Sequence, residues 1–416
     1  MSGNRILLKG GRLFAQGKFI DSDILFSDGI ISRIAQDIVP EGDMKVVDIT
    51  GRVVSYGLVD VHVHFREPGF SAKETIATGS AAAARGGYTL VCPMPNLKPA
   101  PDSLETLGVQ LDLIKAQATV DVLPFATITQ RRAGGAVVDM AALKPYVAGF
   151  SDDGSGVQTA EVMREAMKLA KANDCIISAH CEDMDEPPFS ASSEYRQVER
   201  DAIMAAEIGC RYHVCHVSTK ESVEAIRKAK AAGASVTCET GPHYLTLIQA
   251  DRVDLNDPAA TLADGGRFRM NPPLREADDR EALIAGIQDG TVEVLATDHA
   301  PHTADEKSRG YDNSLMGIVG LETAFPVMYT KLVKTGRISL EKLFELMCDN
   351  PRRIFGFGGA LAEGQKADVA VFDLDSEFTI DSSKFASMGH STPFDGWQVQ
   401  GHCVMTIKDG KVVYSE

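Results

Sequence analysis

Hydrophobic positions change their period twice along this chain. Over roughly the first fifty residues they form short runs at 5–8, 18–20, 23–26, 30–34 and 45–48, broken by turn signals such as Asp28-Gly29. The C-terminal stretch reads likewise, with runs at 367–372 and 404–414, the latter containing the turn Asp409-Gly410. Between these ends, eight apolar runs at 58–64, 89–92, 120–126, 147–151, 176–180, 212–216, 235–238 and 294–298 alternate with stretches of helical period. One such stretch, 160–172, places Val162, Met163, Ala166, Met167, Leu169 and Ala170 on one side, and 220–232 behaves similarly. Eight strands alternating with helices predict an α/β fold, a (β/α)8 TIM barrel over residues 55–354. The two β-rich ends, 1–54 and 355–416, predict one small composite β domain.

A length of 416 residues suits a barrel with a small companion domain. The net charge of −16 argues against nucleic acid as a partner. It also repels an anionic ligand at long range, so a local cation and positive side chains must capture one. No apolar stretch has transmembrane length, and the start, Met1-Ser2-Gly3-Asn4-Arg5, leads into a strand-like segment rather than a signal-peptide core. The eight cysteines are scattered singly without Cys-x-x-Cys, which predicts reduced, buried thiols in a cytoplasmic protein.

The first barrel strand ends in Asp60-Val61-His62-Val63-His64-Phe65-Arg66, and on a strand His62 and His64 share a face. A lone His-x-His is often a chance pair. Here ligand-type residues recur: Ser151-Asp152-Asp153-Gly154 after strand four, His180-Cys181-Glu182-Asp183 after strand five, His213 to Thr219 after strand six, and Asp298-His299-Ala300-Pro301-His302 after strand eight. Five strand ends of one barrel bearing such groups predict a metal centre. Four histidines with carboxylates suit Zn²⁺, with Mn²⁺ or Co²⁺ as substitutes.

These strings resemble the amidohydrolase superfamily, and specifically its dihydroorotases of the long bacterial (class I) type, which interconvert N-carbamoyl-aspartate and dihydroorotate in pyrimidine biosynthesis. The resemblance extends to Cys92-Pro93-Met94-Pro95-Asn96 and Met270-Asn271-Pro272-Pro273-Leu274-Arg275, and so spans most of the chain. It implies that His62 and His64 ligate one metal beside Asp298, and that His180 and His216 ligate a second where present, giving one or two Zn²⁺ per subunit. Asp153 then fills the bridging position that hydantoinases, allantoinases and shorter dihydroorotases give to a carboxylated lysine. Strand four offers no lysine at its end; Lys98 and Lys144 read as solvated. His213, three residues before His216, would face the other way on a regular strand and reads as structural.

Opening a cyclic amide requires a nucleophile at neutral pH, a polarised carbonyl and a proton for the departing nitrogen. Metal coordination lowers the pKa of bound water to about 7, making hydroxide available. The resemblance makes Asp298 the group that takes the water proton and delivers it to the leaving nitrogen. Arg66 offers a two-pronged donor to the substrate carboxylate. The resemblance adds Asn96 and His302 for that same group, and Asn271 for the ring.

Three features depart from the family pattern. Gly241-Pro242-His243-Tyr244 replaces Thr-Pro-His-His, so His243 receives no catalytic role. The stretch from His180 to His216 is short, and residues 184–199, with Pro187-Pro188, read as a brief connection in place of a longer excursion. Met316 stands where Phe is common, in the substrate loop Leu315-Met316-Gly317-Ile318-Val319-Gly320. The alternatives are another cyclic amidohydrolase of allantoinase or hydantoinase type, disfavoured by Arg66 and the missing lysine, and a non-catalytic scaffold, disfavoured because no ligand is missing. The expected partners are the small-molecule substrate and a second copy in a homodimer, with no membrane. Association with aspartate transcarbamoylase is left open.

Overall fold

The computed structural model describes residues 5–253 and 260–416, so residues 1–4 of the N-terminal stretch lie outside the described residues. The N-terminal alternation yields β1 (Arg5–Ala15), β2 (Lys18–Ser27), β3 (Ile30–Ala35), β4 (Lys45–Asp48) and β5 (Val53–Tyr56). The predicted runs 18–20 and 23–26 are thus one strand. Its residue Asp23 is buried and accepts from the backbone N–H groups of Gly10 and Ile38 at 2.8 and 2.9 Å, which satisfies its carboxylate.

The eight central runs form β6 (Leu58–Val63), β7 (Tyr88–Pro93), β8 (Asp121–Val122) with β9 (Phe125–Ala126), β10 (Gly149–Phe150), β11 (Ile176–Ala179), β12 (Arg211–Val214), β13 (Val236–Thr240) and β14 (Val294–Leu295), each parallel to the next. The third run is interrupted at Pro124, which has no N–H for a ladder. Closure comes from a parallel bridge between Val63 and His299, and from Asp60, whose carboxylate accepts from Thr297 N at 3.1 Å. This is a closed parallel barrel, packed with side chains and not a pore.

Helices follow the predicted period at Ala160–Ala172 and Lys220–Ala231, the second capped by the Thr219 side chain. The reading of 184–199 needs correction. A helix, Ala191–Ile208, begins inside it, with Ser190 accepting from Ser193 N at 3.1 Å as its cap. The connection after β11 therefore ends at Ser190.

At the C-terminus, β15 (Val369–Thr379), β16 (Gln398–Lys408) and β17 (Lys411–Ser415) join the N-terminal strands in one eight-stranded sheet, ordered β17-β16-β15-β5-β1-β2-β3 with β4 beside β1. Phe372 of β15 stacks on Phe325 at 4.1 Å and meets Phe344, seating the sheet on the helical layer. All eight cysteines are buried and unpaired, and among the described residues no helix is long and apolar enough to cross a membrane.

Candidate metal centre and anion pocket

The C-terminal ends of β6, β10, β11, β12 and β14 converge on Asp153. His62 Nε2 lies 3.4 Å from Asp153 Oδ1 and 3.5 Å from Asp298 Oδ1. His64 Nε2 lies 3.6 Å from Asp153 Oδ2 and 3.0 Å from Asp298 Oδ1. On the other side, His180 Nδ1 and His216 Nε2 are 3.0 Å apart, and 3.7 and 3.6 Å from Asp153 Oδ1. Two donor sets thus share one carboxylate. Their edges match a tetrahedron with bonds of about 2.1 Å, whose edges are about 3.4 Å. His62 Nε2 and Asp153 Oδ1 are buried without a hydrogen-bond partner among the described residues. Lone pairs left so are costly unless a cation takes them, and the residues present fit a divalent metal.

Backbone geometry aims these groups. Arg66, His216 and Asp298, each just past a strand end, have φ of +61°, +31° and +48°, values that side-chain-bearing residues adopt only under constraint. Because β12 stops at Val214, regular alternation does not reach His216. His213 therefore does not simply oppose it. His213 lies buried beneath the centre, with Nδ1 2.8 Å from Thr237 Oγ1 and Nε2 3.2 Å from Glu239 Oε2.

Three of the four donor imidazoles are fixed from behind. His62 Nδ1 donates to Glu239 Oε1 at 2.6 Å, His64 Nδ1 to Asn96 Oδ1 at 2.9 Å, and His180 Nε2 to Glu182 Oε2 at 3.0 Å. Holding the proton on the far nitrogen leaves the lone pair facing the centre. Asn96 Nδ2 donates to Asp153 Oδ2 at 3.2 Å, and Asn271 Nδ2 to Glu182 Oε2 at 2.9 Å. Burial opposes charge on Asp298, yet the imidazoles of His62 and His64 hold its carboxyl down to about 2. Its hydrogen bond to His180 likewise holds Glu182 at about 2.

A cavity of about 160 Å³ opens over this centre, room for a small ring rather than a drug-sized molecule. Nine of the ten predicted site residues line it: His64, Arg66, Asn96, Asp153, His180, His216, Asn271, Asp298 and His302; His62 sits below. Burial lowers Arg66 to about 10, so it stays a cation at neutral pH, and its Nε donates to Pro301 O at 3.2 Å. Met316 and Gly317 complete the rim, and His302 Nε2 donates to Met316 O at 2.8 Å.

Sequence reasoning missed Glu239, Lys73 and Lys307. An acid inside the buried strand Val236–Thr240 was a usable signal for Glu239. Lys73 lies in a turn and Lys307 ends the one-turn helix Ala304–Lys307, and neither gave one. His243 is buried and does not line the cavity, and its Nε2 has no partner among the described residues. Tyr244 OH donates to Pro272 O at 2.6 Å, a structural contact.

A family model described as dihydro-orotase-like matches residues 51–192. A dihydroorotase of Fusobacterium nucleatum is 46% identical over 98% of this chain and 98% of its own length. One from Bacillus cereus is 45% identical over 99% and 98%. Among solved structures, the L-hydantoinase (dihydropyrimidinase) of Arthrobacter aurescens is similar with a TM-score of 0.89 at 27% identity, covering 99% of this chain and 96% of that one. The dihydropyrimidinase of Brevibacillus agri shares the fold, with a TM-score of 0.87 at 21% identity over 99% and 95%.

Proposed function

Because this chain belongs to the dihydroorotases, we propose that its barrel mouth interconverts dihydroorotate and N-carbamoyl-aspartate at a zinc centre held by His62, His64, Asp153, His180, His216 and Asp298. The observation that carries this reading is Asp153, shared by two donor sets, with the cation Arg66 on the rim of the same cavity. When bound, the metal supplies an acidified water and an electrophile for the amide carbonyl.

The remaining work falls to the chain. Asp298, ionised and at the cavity floor, takes a proton from water and returns it to the ring nitrogen as the amide bond breaks. Arg66, His302 and the Asn96 amide receive the α-carboxylate, and Asn271 receives the ring. Cyclisation runs the same proton path in reverse. Residues 55–354 constitute the barrel unit, with 1–54 and 355–416 as the companion unit.

The hydantoinase likeness does not alter the substrate reading. Lys144 lies outside the barrel mouth, with Nζ bonding Asn173 O at 2.6 Å, and Lys98 is exposed, so neither lysine supplies the bridging group that this reading gives to Asp153. The test is metal content of purified wild type and Asp153→Ala. Wild type is expected to hold zinc, and the variant to lose metal together with nearly all dihydroorotate turnover. A variant with full metal and full activity would remove Asp153 from the centre.

A further inference from the structure

Both ring nitrogens of His302 are engaged by groups of fixed polarity. Nε2 lies 2.8 Å from the carbonyl oxygen of Met316, which can only accept. Nδ1 lies 3.2 Å from the Lys73 ammonium, which can only donate. A single form satisfies both contacts: a neutral imidazole with its proton on Nε2 and its lone pair on Nδ1. Arg66 Nη2 approaches Nε2 at 3.3 Å. Both are then donors, so they do not bond each other; they converge on a shared acceptor. In this structure that acceptor position is filled for His302 by Met316 O, and an incoming carboxylate would take it over.

Glu306 is the competitor for Nδ1. Its Oε2 lies 3.4 Å from that nitrogen, but accepts from Thr303 N at 3.1 Å, while Oε1 pairs with Lys73 Nζ at 2.9 Å. The charged groups facing the imidazole are Arg66, Lys73, Lys307 and Glu306. Burial and the three cations hold the imidazole down to about 3, so it stays neutral at neutral pH.

We propose that Lys73 is a positioning residue for the substrate's anionic group: by occupying Nδ1 of His302, it makes the ring present an N–H, never a lone pair, beside Arg66. The proposal rests on the dihydroorotate reading only in taking that anion to be the α-carboxylate.

Removing the ammonium frees both Nδ1 and Glu306. The carboxylate then competes with Met316 O for the ring's one proton, so a share of the neutral rings turns its Nε2 lone pair toward the substrate. At lower pH the ring takes a second proton and Nε2 donates again. For Lys73→Met, KM for N-carbamoyl-aspartate at pH 8 is expected to rise about tenfold, with kcat within about threefold of wild type. That defect should shrink as pH falls, because the released Glu306 carboxylate favours a second proton on the ring. Wild-type KM should show no such step attributable to His302, and Lys73→Arg should restore most of the affinity. A KM defect independent of pH, or a fall in kcat alone, would overturn the proposal.

A second readout needs no turnover. In ¹⁵N spectra of histidine-labelled protein, with His302 assigned by His302→Asn, wild type should show the Nε2–H tautomer alone, and Lys73→Met a mixture of Nε2–H and Nδ1–H. An Nδ1–H or mixed His302 in wild type would overturn the positioning role. An Nε2–H ring that shifts in Lys73→Met, in a protein that turns over neither substrate, would sustain the role and overturn only the substrate reading.

Discussion

An imidazole serves a cation well when its far nitrogen is held in one protonation state, and Glu239 does this for His62. Its two oxygens are 2.6 Å from His62 Nδ1 and 3.2 Å from His213 Nε2, in full burial. Glu239→Gln should weaken metal binding about 10- to 100-fold in chelator competition, and unchanged affinity would show that His62 needs no such partner. Asp298→Asn should keep most of the metal while kcat falls about 10²- to 10⁴-fold, since the proposed proton carrier is lost. The ligand-type residues were legible because each sits at the end of an apolar run. Lys73 was not, and Glu239 was signalled only as an acid inside a buried strand, because each acts through another side chain far away in sequence; Glu239 and His62 are 177 positions apart. Local pattern carries no trace of such a pairing.

At the scale of elements, the barrel strands were legible from their apolar runs, and every run holds a strand. Their ends were less so. Pro124 splits the third, and β14 stops at Leu295, before the positive φ of Asp298. The helix Ala191–Ile208 was partly hidden by the polar composition of its first turn, which contains Ser192, Ser193 and Glu194. That polarity has a purpose. Glu194 is buried, accepts from Ser218 N and Thr219 N at 3.0 and 3.1 Å, and faces Arg275 at 3.6 Å. It ties the helix to the loop that follows His216. Glu194→Ala should cost about 3 kcal/mol in urea unfolding, because it leaves buried donors and a cation without their acceptor. A loss below the error of extrapolation would mean that the loop is held by its own backbone.

Across the whole molecule, barrel and terminal sheet meet at a seam with an ionisable group inside it. Burial pushes Glu322 up to about 7, although it accepts from Ala386 N at 3.0 Å and lies 3.3 Å from Arg85. A carboxyl raised in the fold binds its proton there at pH values where the unfolded chain has already lost it. Stability from this group is therefore present at low pH and declines from about pH 4.5 to about 7. The fall in Tm between pH 5 and pH 8 should be smaller in Glu322→Gln than in wild type, and equal falls would exclude this group as a source. The central claim, however, concerns the mouth of the barrel. It is tested most directly by steady-state ultraviolet assay of the zinc-loaded protein on N-carbamoyl-aspartate, beside hydantoin and allantoin. Cyclisation to dihydroorotate with kcat/KM at least about 10²-fold above either alternative is expected, because the proposed Arg66 and His302 contacts reward a carboxylate that those rings lack. Preferred turnover of hydantoin or allantoin by the same metal-loaded protein would contradict it.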